Sequence, residues 1–263
     1  MRRSDSRSVG IAAILTMIRE CACMAFQAAG RTDTGVLRKE NQDKYLIMPE
    51  QMVYAVADGM GGHEGGGLAS AIAVETLERE LKDRDSVDES DVENALAAAN
   101  AQIHREALRN RFPGMGTTLV LVFYTGGMWK VAHIGDSRVY AVSEDRICAI
   151  TKDHSLVGEL LARGNITSEE AKVHPHRNVL TRALGTEGDA APEWGSISTE
   201  ESEYLLLCTD GLFNMLEEES IQEIVVSQGL TLEEKAGRLV EEANQKGGTD
   251  NITVILIAEE GRR

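Results

Sequence analysis

The stretch that decides the fold is MWKVAHIGDSRVYAVSEDRICAI, residues 128–150. It holds three short apolar runs, Met128–Ile134, Arg138–Val142 and Arg146–Ile150, with polar breaks between them. Short runs rich in Val, Ile and Tyr, punctuated every few residues, predict an antiparallel meander. Working outward, Thr117–Tyr124 joins it through Thr125-Gly126-Gly127, and Ser143-Glu144-Asp145 makes its last turn. Further strands are expected at Met24–Ala29, Tyr45–Met48, Met52–Ala57, Glu193–Ser198, Tyr204–Cys208 and Ile252–Ala258. Apolar residues recurring at three and four predict helices over Leu68–Lys82, Val92–Arg109, Glu217–Gln228 and Leu232–Gln245. Leu156–Arg163 and Ser168–Val173 read as short helices inside an insertion that reaches about Leu184. Strand runs interleaved with helix pairs give an α+β layout, not the βαβ alternation of a parallel sheet. Nothing between Met24 and Glu260 resembles a linker, so residues 24–260 are expected to form one domain behind an extension, residues 1–23.

The chain has 263 residues, 42% of them apolar and 4% aromatic. Its core must therefore rest on Val, Ile, Leu, Ala and Met. With 27 basic and 43 acidic side chains the formal charge is -16. Such a balance, without a basic cluster beyond the first few residues, argues against a nucleic-acid partner. It also repels phosphorylated ligands at long range, so phosphate chemistry would need local positive charge. Cys21, Cys23, Cys148 and Cys208 form no disulfide framework and are expected to be small core hydrophobes in a reducing compartment. The apolar run Val9–Ile18 is about half a membrane span, and Arg19 and Glu20 follow it without a cleavage site. No membrane insertion is expected; the protein reads as cytoplasmic, with Met24 opening the folded part.

Five aspartates stand at strand ends beside glycine or small polar residues. Asp58 ends Val53–Ala57 before Gly59; Asp136 ends Val131–Gly135; Asp210 ends Leu205–Thr209 before Gly211. Asp250 follows Gly247-Gly248-Thr249 and precedes the last strand, and Asp43 follows Asn41-Gln42 before another. A single such aspartate often only caps a turn. Several at one rim repel each other and must take up protons or cations. All-oxygen ligands suit Mg²⁺ or Mn²⁺, and no His/Cys set has zinc spacing.

These positions fall in blocks that resemble, in order, the motifs of the PP2C-type (PPM) metal-dependent protein phosphatases of bacteria. They are Arg38–Asp43, Asp58-Gly59-Met60-Gly61-Gly62-His63, Gly135–Arg138, Thr151–Ser155, Thr181–Gly185, Thr209–Leu212 and Asp250–Thr253. The resemblance covers Met24 to Ala258. It implies a β-sandwich of two antiparallel sheets flanked by helix pairs, four layers in the order αββα. It implies Mn²⁺ or Mg²⁺, two ions and a third in bacterial-type members. Asp58 would bridge two ions with help from the Gly59 carbonyl, Asp210 and Asp250 would complete the first site, and Asp43 would act through bound water. Asp136 with Asp210 would hold the third ion, and Arg38 would grip the substrate phosphate.

The reaction so implied is hydrolysis of phosphoserine and phosphothreonine in proteins, by in-line attack of a hydroxide bridging two ions. His63 is a candidate donor of the leaving group's proton, although other members carry their acid histidine directly after Asp-Gly, where this chain has Met60. His154 is expected to make a structural hydrogen bond. His104 and His133 are read as packed or surface residues, and His174 and His176 as loop residues. The segment 156–177 corresponds to the family's flap, where substrate choice is expected to reside. Expected partners are phosphorylated proteins, Ser/Thr kinases among them, met by a monomer. Rival readings are a silent phosphoprotein-binding module, which should lack a metal aspartate, and a phosphatase of small regulatory phosphoproteins.

Overall fold

Period-two side-chain alternation sorts the apolar residues of each strand onto two faces, and here both faces are buried. The computed structural model describes residues 25–62, 65–186 and 191–261; His63, Cys21, Cys23 and Met24 lie outside them. In chain order it contains β1 (Phe26–Asp33), β2 (Asp43–Met48), β3 (Val53–Met60), α1 (Gly65–Leu81), α2 (Glu89–Asn110), β4 (Gly116–Thr117) and β5 (Leu119–Thr125). There follow β6 (Met128–Ile134), β7 (Arg138–Val142), β8 (Ile147–Ala149), α3 (Leu156–Ala162), α4 (Ser168–Lys172), β9 (Glu193–Ser198) and β10 (Tyr204–Cys208). The last elements are α5 (Asp210–Phe213), α6 (Glu218–Val225), α7 (Leu232–Gln245) and β11 (Ile252–Glu259).

One sheet has the order β1-β11-β10-β7-β8, the other β2-β3-β5-β6-β9 with β4 added on β3. Every pairing is antiparallel. Odd residues of β3 (Val53, Ala55, Ala57) pack with Ala69, Ala73 and Leu77 of α1 and Leu96 and Ile103 of α2. Its even residues Tyr54 and Val56 meet Leu205 and Leu207 of β10 and Ile255 and Ile257 of β11 in the layer between the sheets. The other faces of β10 and β11, with Leu206, Val254 and Leu256, are covered by Ile221 of α6 and Leu239 and Val240 of α7. Three apolar layers thus separate helix pair, sheet, sheet and helix pair, which is the expected sandwich.

Several boundaries differ from the sequence reading. Asp58 is not the last residue of its strand: Gly59 and Met60 continue β3 by pairing with Thr117 and Gly116 of β4. The expected strand at 117–124 is broken at Thr118, whose hydroxyl is drawn to Asp58 and Ser137. Helix α2 starts inside the acidic segment, because Asp88 accepts from the Asp91 N–H and Asp91 returns the bond to the Asp88 N–H. Asp210 opens the short helix α5. Cys208 is buried as expected, but Cys148 is exposed, since β8 is the edge of its sheet.

Two side chains test this layering. Leu206 is fully buried between sheet and helices, so Leu206→Ala is expected to lower unfolding free energy by about 2–5 kcal/mol. Leu37 is 68% exposed, and Leu37→Ala should change it by less than about 0.5 kcal/mol. Equal urea midpoints for the two variants would contradict the assignment.

Candidate active site

The layer between the sheets turns polar at one end, by simple continuation of the strand alternation. Beyond Tyr54 and Val56 the next residue on that face is Asp58; beyond Leu205 and Leu207 it is Thr209; before Ile257 and Ile255 it is Thr253. Asp43 sits opposite Asp58 in the β2–β3 register. The Thr209 and Thr253 hydroxyls both donate to Asp43 Oδ2, at 2.9 and 2.7 Å. The backbone around Asp58 is clamped as well. Its N–H donates to Thr118 Oγ1 at 3.0 Å, and its carbonyl accepts from the Thr118 N–H and the Thr117 hydroxyl, each at 2.8 Å.

Asp210 stands at the start of α5, where Asn214 Nδ2 donates to its Oδ2 at 3.0 Å. Asp250 precedes β11; the Asn251 N–H donates to its Oδ1, and Arg38 Nη2 donates to its Oδ2 at 2.6 Å. Asn251 organises the loop that carries Arg38. Its Nδ2 donates to the carbonyls of Thr34 and Glu40 at 2.8 and 2.9 Å, and its Oδ1 accepts from the Gln42 N–H. Gly35 in that loop has φ +78°, and a Cβ there would collide with the Asp250 carbonyl. Gly59 touches the Gly66 carbonyl so closely that any side chain would push β3 off the start of α1.

Asp58, Asp136, Asp210, Asp250 and Arg38 line one open cleft of about 600 Å³, with Gly59, Met60, Leu37, Asn178 and Leu180. Burial pushes the carboxyl of Asp58 well above its ordinary value, and the charges of Asp43, Asp210, Asp136 and Asp250 push it further. Asp210 is raised for the same reasons, burial first, then Asp136, Asp250 and Asp43. Burial also raises Asp43 and Asp136, each to about 6. Asp43 Oδ1 and Asp210 Oδ1 are buried without a hydrogen-bond partner. Buried oxygens left without partners are costly unless a cation or proton meets them. The donor set is all oxygen, as hard divalent ions require, so these residues fit Mg²⁺ or Mn²⁺.

A half-buried clamp joins a strand, a loop and a helix behind this cleft. Arg138, two residues after Asp136, makes a bidentate pair with Asp153 (Nε–Oδ1 2.9 Å, Nη2–Oδ2 2.7 Å) and donates to the Tyr140 hydroxyl. Its guanidinium lies 3.7 Å over the ring of Phe213, the last residue of α5. The planar fork that binds the carboxylate also stacks on the ring, tying the turn of Asp136 to the helix of Asp210.

A second group of ligand-type side chains was not foreseen. His133, His154 and Glu193 bring ligand atoms within 4.8 Å of one another, although they lie far apart in sequence. Their hydrogen bonds oppose a metal there. The Gly135 N–H donates to His154 Nδ1 at 3.2 Å, so in neutral His154 the proton sits on Nε2, aimed at Glu193 Oε2 at 3.2 Å. A ligating Nε2 would put a proton on Nδ1, facing that N–H. Burial lowers the His154 pKa against the opposing pull of Glu193, which favours the neutral ring. His154 therefore braces Gly135, the structural role expected of it. His133 is buried, stacks on His154 and bonds the Lys152 carbonyl.

The structure thus gathers Arg38, Asp43, Asp58, Gly59, Asp136, Asp210 and Asp250, while His63 lies outside the described residues. The sequence reading overlooked the work of Thr118, Thr209, Asn251 and Thr253. Thr209, Asn251 and Thr253 lie in the same motif blocks as Asp210 and Asp250, and Thr118 lies beside Asp58 across the strands, signals that could have found them.

Comparison with known proteins agrees with this geometry. The family described as Protein phosphatase 2C matches residues 38–242. The serine/threonine phosphatase stp of Listeria innocua is 39% identical over 236 residues, covering 86% of this chain and 93% of that protein. The crystal structure of the serine/threonine phosphatase Stp1 from Staphylococcus aureus superposes with a TM-score of 0.84 at 33% identity, over 90% of this chain and 96% of that one. The catalytic domain of the serine threonine protein phosphatase PstP, in complex with two manganese ions, gives a TM-score of 0.80 at 32% identity, over 90% and 99% of the two chains. The fold and the cleft define a metal-dependent phosphatase class. The chain belongs to the protein phosphatase 2C family.

The carboxyl shifts fix a pH dependence. Asp43 and Asp136 bind protons up to about 6 in the folded chain, against an ordinary value of 3.8. Between these values the folded state holds protons that the unfolded state has released, so stability falls as pH rises through that window. In excess chelator the thermal midpoint is therefore expected to be higher at pH 5 than at pH 7.5, to an extent that saturating Mn²⁺ reduces. A chelated protein that gains stability from pH 5 to 7.5 would refute this reading.

Proposed function

We propose that the chain is a protein phosphatase that hydrolyses phosphoserine and phosphothreonine with two divalent ions, Mn²⁺ or Mg²⁺, and opposes Ser/Thr protein kinases. The observation that carries the reading is the convergence of four aspartates and an arginine on one open cleft, with Asp43 buried beside Asp58 and two of the five carboxyls holding partnerless buried oxygens. Asp58, Asp210 and Asp250, with the Gly59 carbonyl, are assigned to the two ions. Asp136 with Asp210 is assigned to a third, and Asp43 to the water around them. Bound ions would supply Lewis acidity, bringing the pKa of a water nucleophile toward neutrality.

The chain's own residues perform the remaining tasks. Arg38 presents a planar set of donors to phosphate oxygens. It already reaches Asp250 at 2.6 Å, so its half-exposed side chain is held at the edge of the carboxylate cluster. The clamped backbone of Asp58 keeps its carboxylate from following a ligand. The Asn251 bonds hold the arginine loop at a set distance from Asp250. His63 is the candidate proton donor to the leaving hydroxyl. Residues 24–260 are assigned to one catalytic domain, with 156–177 as its flap. Among the described residues no helix is long and apolar enough to cross a membrane; phosphoproteins are the assigned partners, met by a monomer in the cytoplasm.

The test is phosphate release from a phosphothreonine peptide, with Mn²⁺ against excess chelator. Asp58→Asn is expected to abolish release. Arg38→Ala should raise KM by about 10- to 100-fold, the value of a charge-assisted bidentate contact, with a smaller effect on kcat. Release that survives chelation, or that Asp58→Asn leaves intact, would overturn the assignment.

A further inference from the structure

Beside the arginine of the cleft stand two large apolar side chains where solvent-facing polar ones would be expected. Val36 is 62% and Leu37 68% exposed, and they directly precede Arg38. Neighbouring exposed apolar residues at the rim of a polar site mark a surface awaiting a ligand. Their backbone is not loose. The N–H groups of Val36 and Leu37 both donate to the Gly248 carbonyl, at 2.8 and 3.2 Å, and Asn251 holds Thr34 and Glu40 on either side. The tip is therefore preorganised, and covering it costs little ordering entropy.

Leu37 lines the same cleft as Arg38, and so does Leu180, from a segment remote in sequence. Leu180 is fixed in its turn: it bridges to Ser155, while the Leu156 N–H donates to the Val179 carbonyl and the Thr181 N–H to that of His154. Two leucines on separately anchored backbones thus share one cleft with the cation that would meet the phosphate. The floor of that cleft is carboxylate, and the chain as a whole carries a charge of -16. A peptide that brings its phosphate to Arg38 must pass over this rim. An acidic residue next to the phosphorylated one would meet like charge there, whereas an aliphatic or aromatic one would cover exposed leucine.

We propose that Leu37 and Leu180 form an apolar seat for the residue flanking the phosphorylated side chain, so that the preferred substrates are phosphopeptides with an aliphatic or aromatic neighbour. The inference rests on the cleft being the phosphopeptide site proposed above. Burying most of one leucine-sized side chain on such a seat corresponds to roughly a tenfold preference. Val36, on the same tip, extends the apolar rim beyond Leu37.

The experiment compares kcat/KM on phosphothreonine peptides that differ only in one flanking residue, leucine or glutamine, set before the phosphothreonine in one pair and after it in the other. Glutamine is uncharged and similar in size, so the comparison isolates apolar contact from charge. Wild-type protein with Mn²⁺ is expected to prefer leucine about tenfold in one of the pairs. Leu37→Ser and Leu180→Ser should each reduce that ratio to about threefold or less, which a general loss of folded protein would not do because both peptides report on the same sample. A ratio near one for wild-type protein in both pairs, or a preference that survives in both variants, overturns the seat. Absence of metal-dependent release from every peptide would instead remove the phosphatase reading, and this inference with it.

Discussion

Mutual repulsion among carboxylates is the constraint around which the molecule is built. Asp43, Asp136, Asp210 and Asp250 each raise the pKa of another carboxyl in the cluster, that of Asp58 most widely, and left to themselves such side chains would turn apart into solvent. They cannot, because each is attached to backbone whose position is decided elsewhere. Asp58 continues a strand paired on both sides, Asp210 begins a helix directly after a buried strand, and Asp250 precedes an interior strand of its sheet. Three apolar layers hold those elements in register. The hydrophobic energy of the layers thus maintains an arrangement that is locally unfavourable until a cation or proton relieves it.

Small polar residues translate that constraint into geometry. Thr209 and Thr253 fix one oxygen of Asp43, leaving its other oxygen without a partner. Thr118 and Ser137 share a hydrogen bond that joins the backbone of Asp58 to the turn of Asp136. Arg138 reaches from that turn to Asp153 and the ring of Phe213. None of these groups need touch a substrate. Their effect is to remove freedom from the ones that would.

Legibility in the sequence followed the range of the physics. The meander, the helix pairs and the fold class could be read because apolar periodicity is local. The five aspartates stood out because each interrupts or borders an apolar run. What escaped were features created by distant chain segments: the continuation of β3 onto β4, the His133–His154–Glu193 group, and Asn251 bonding to residues more than two hundred positions away. Cys148 was misjudged because an edge strand has the same local pattern as an inner one. Capping hid the start of α2, since Asp88 and Asp91 looked like loop charges.

The position of β11 has a consequence for how the protein comes into being. This strand, the last of the described elements, lies between β1 and β10, and it brings Thr253 to Asp43 with Asp250 just ahead of it. During synthesis the first and tenth strands would wait, unjoined, until it leaves the ribosome. Contacts between residues so far apart in the chain form late and slowly. A nascent polypeptide accordingly has most of its hydrophobic mass before it has an intact carboxylate cluster. Premature termination ahead of Ile252 would leave an unfinished sheet, one that exposes the flanks of β1 and β10 to quality-control proteases.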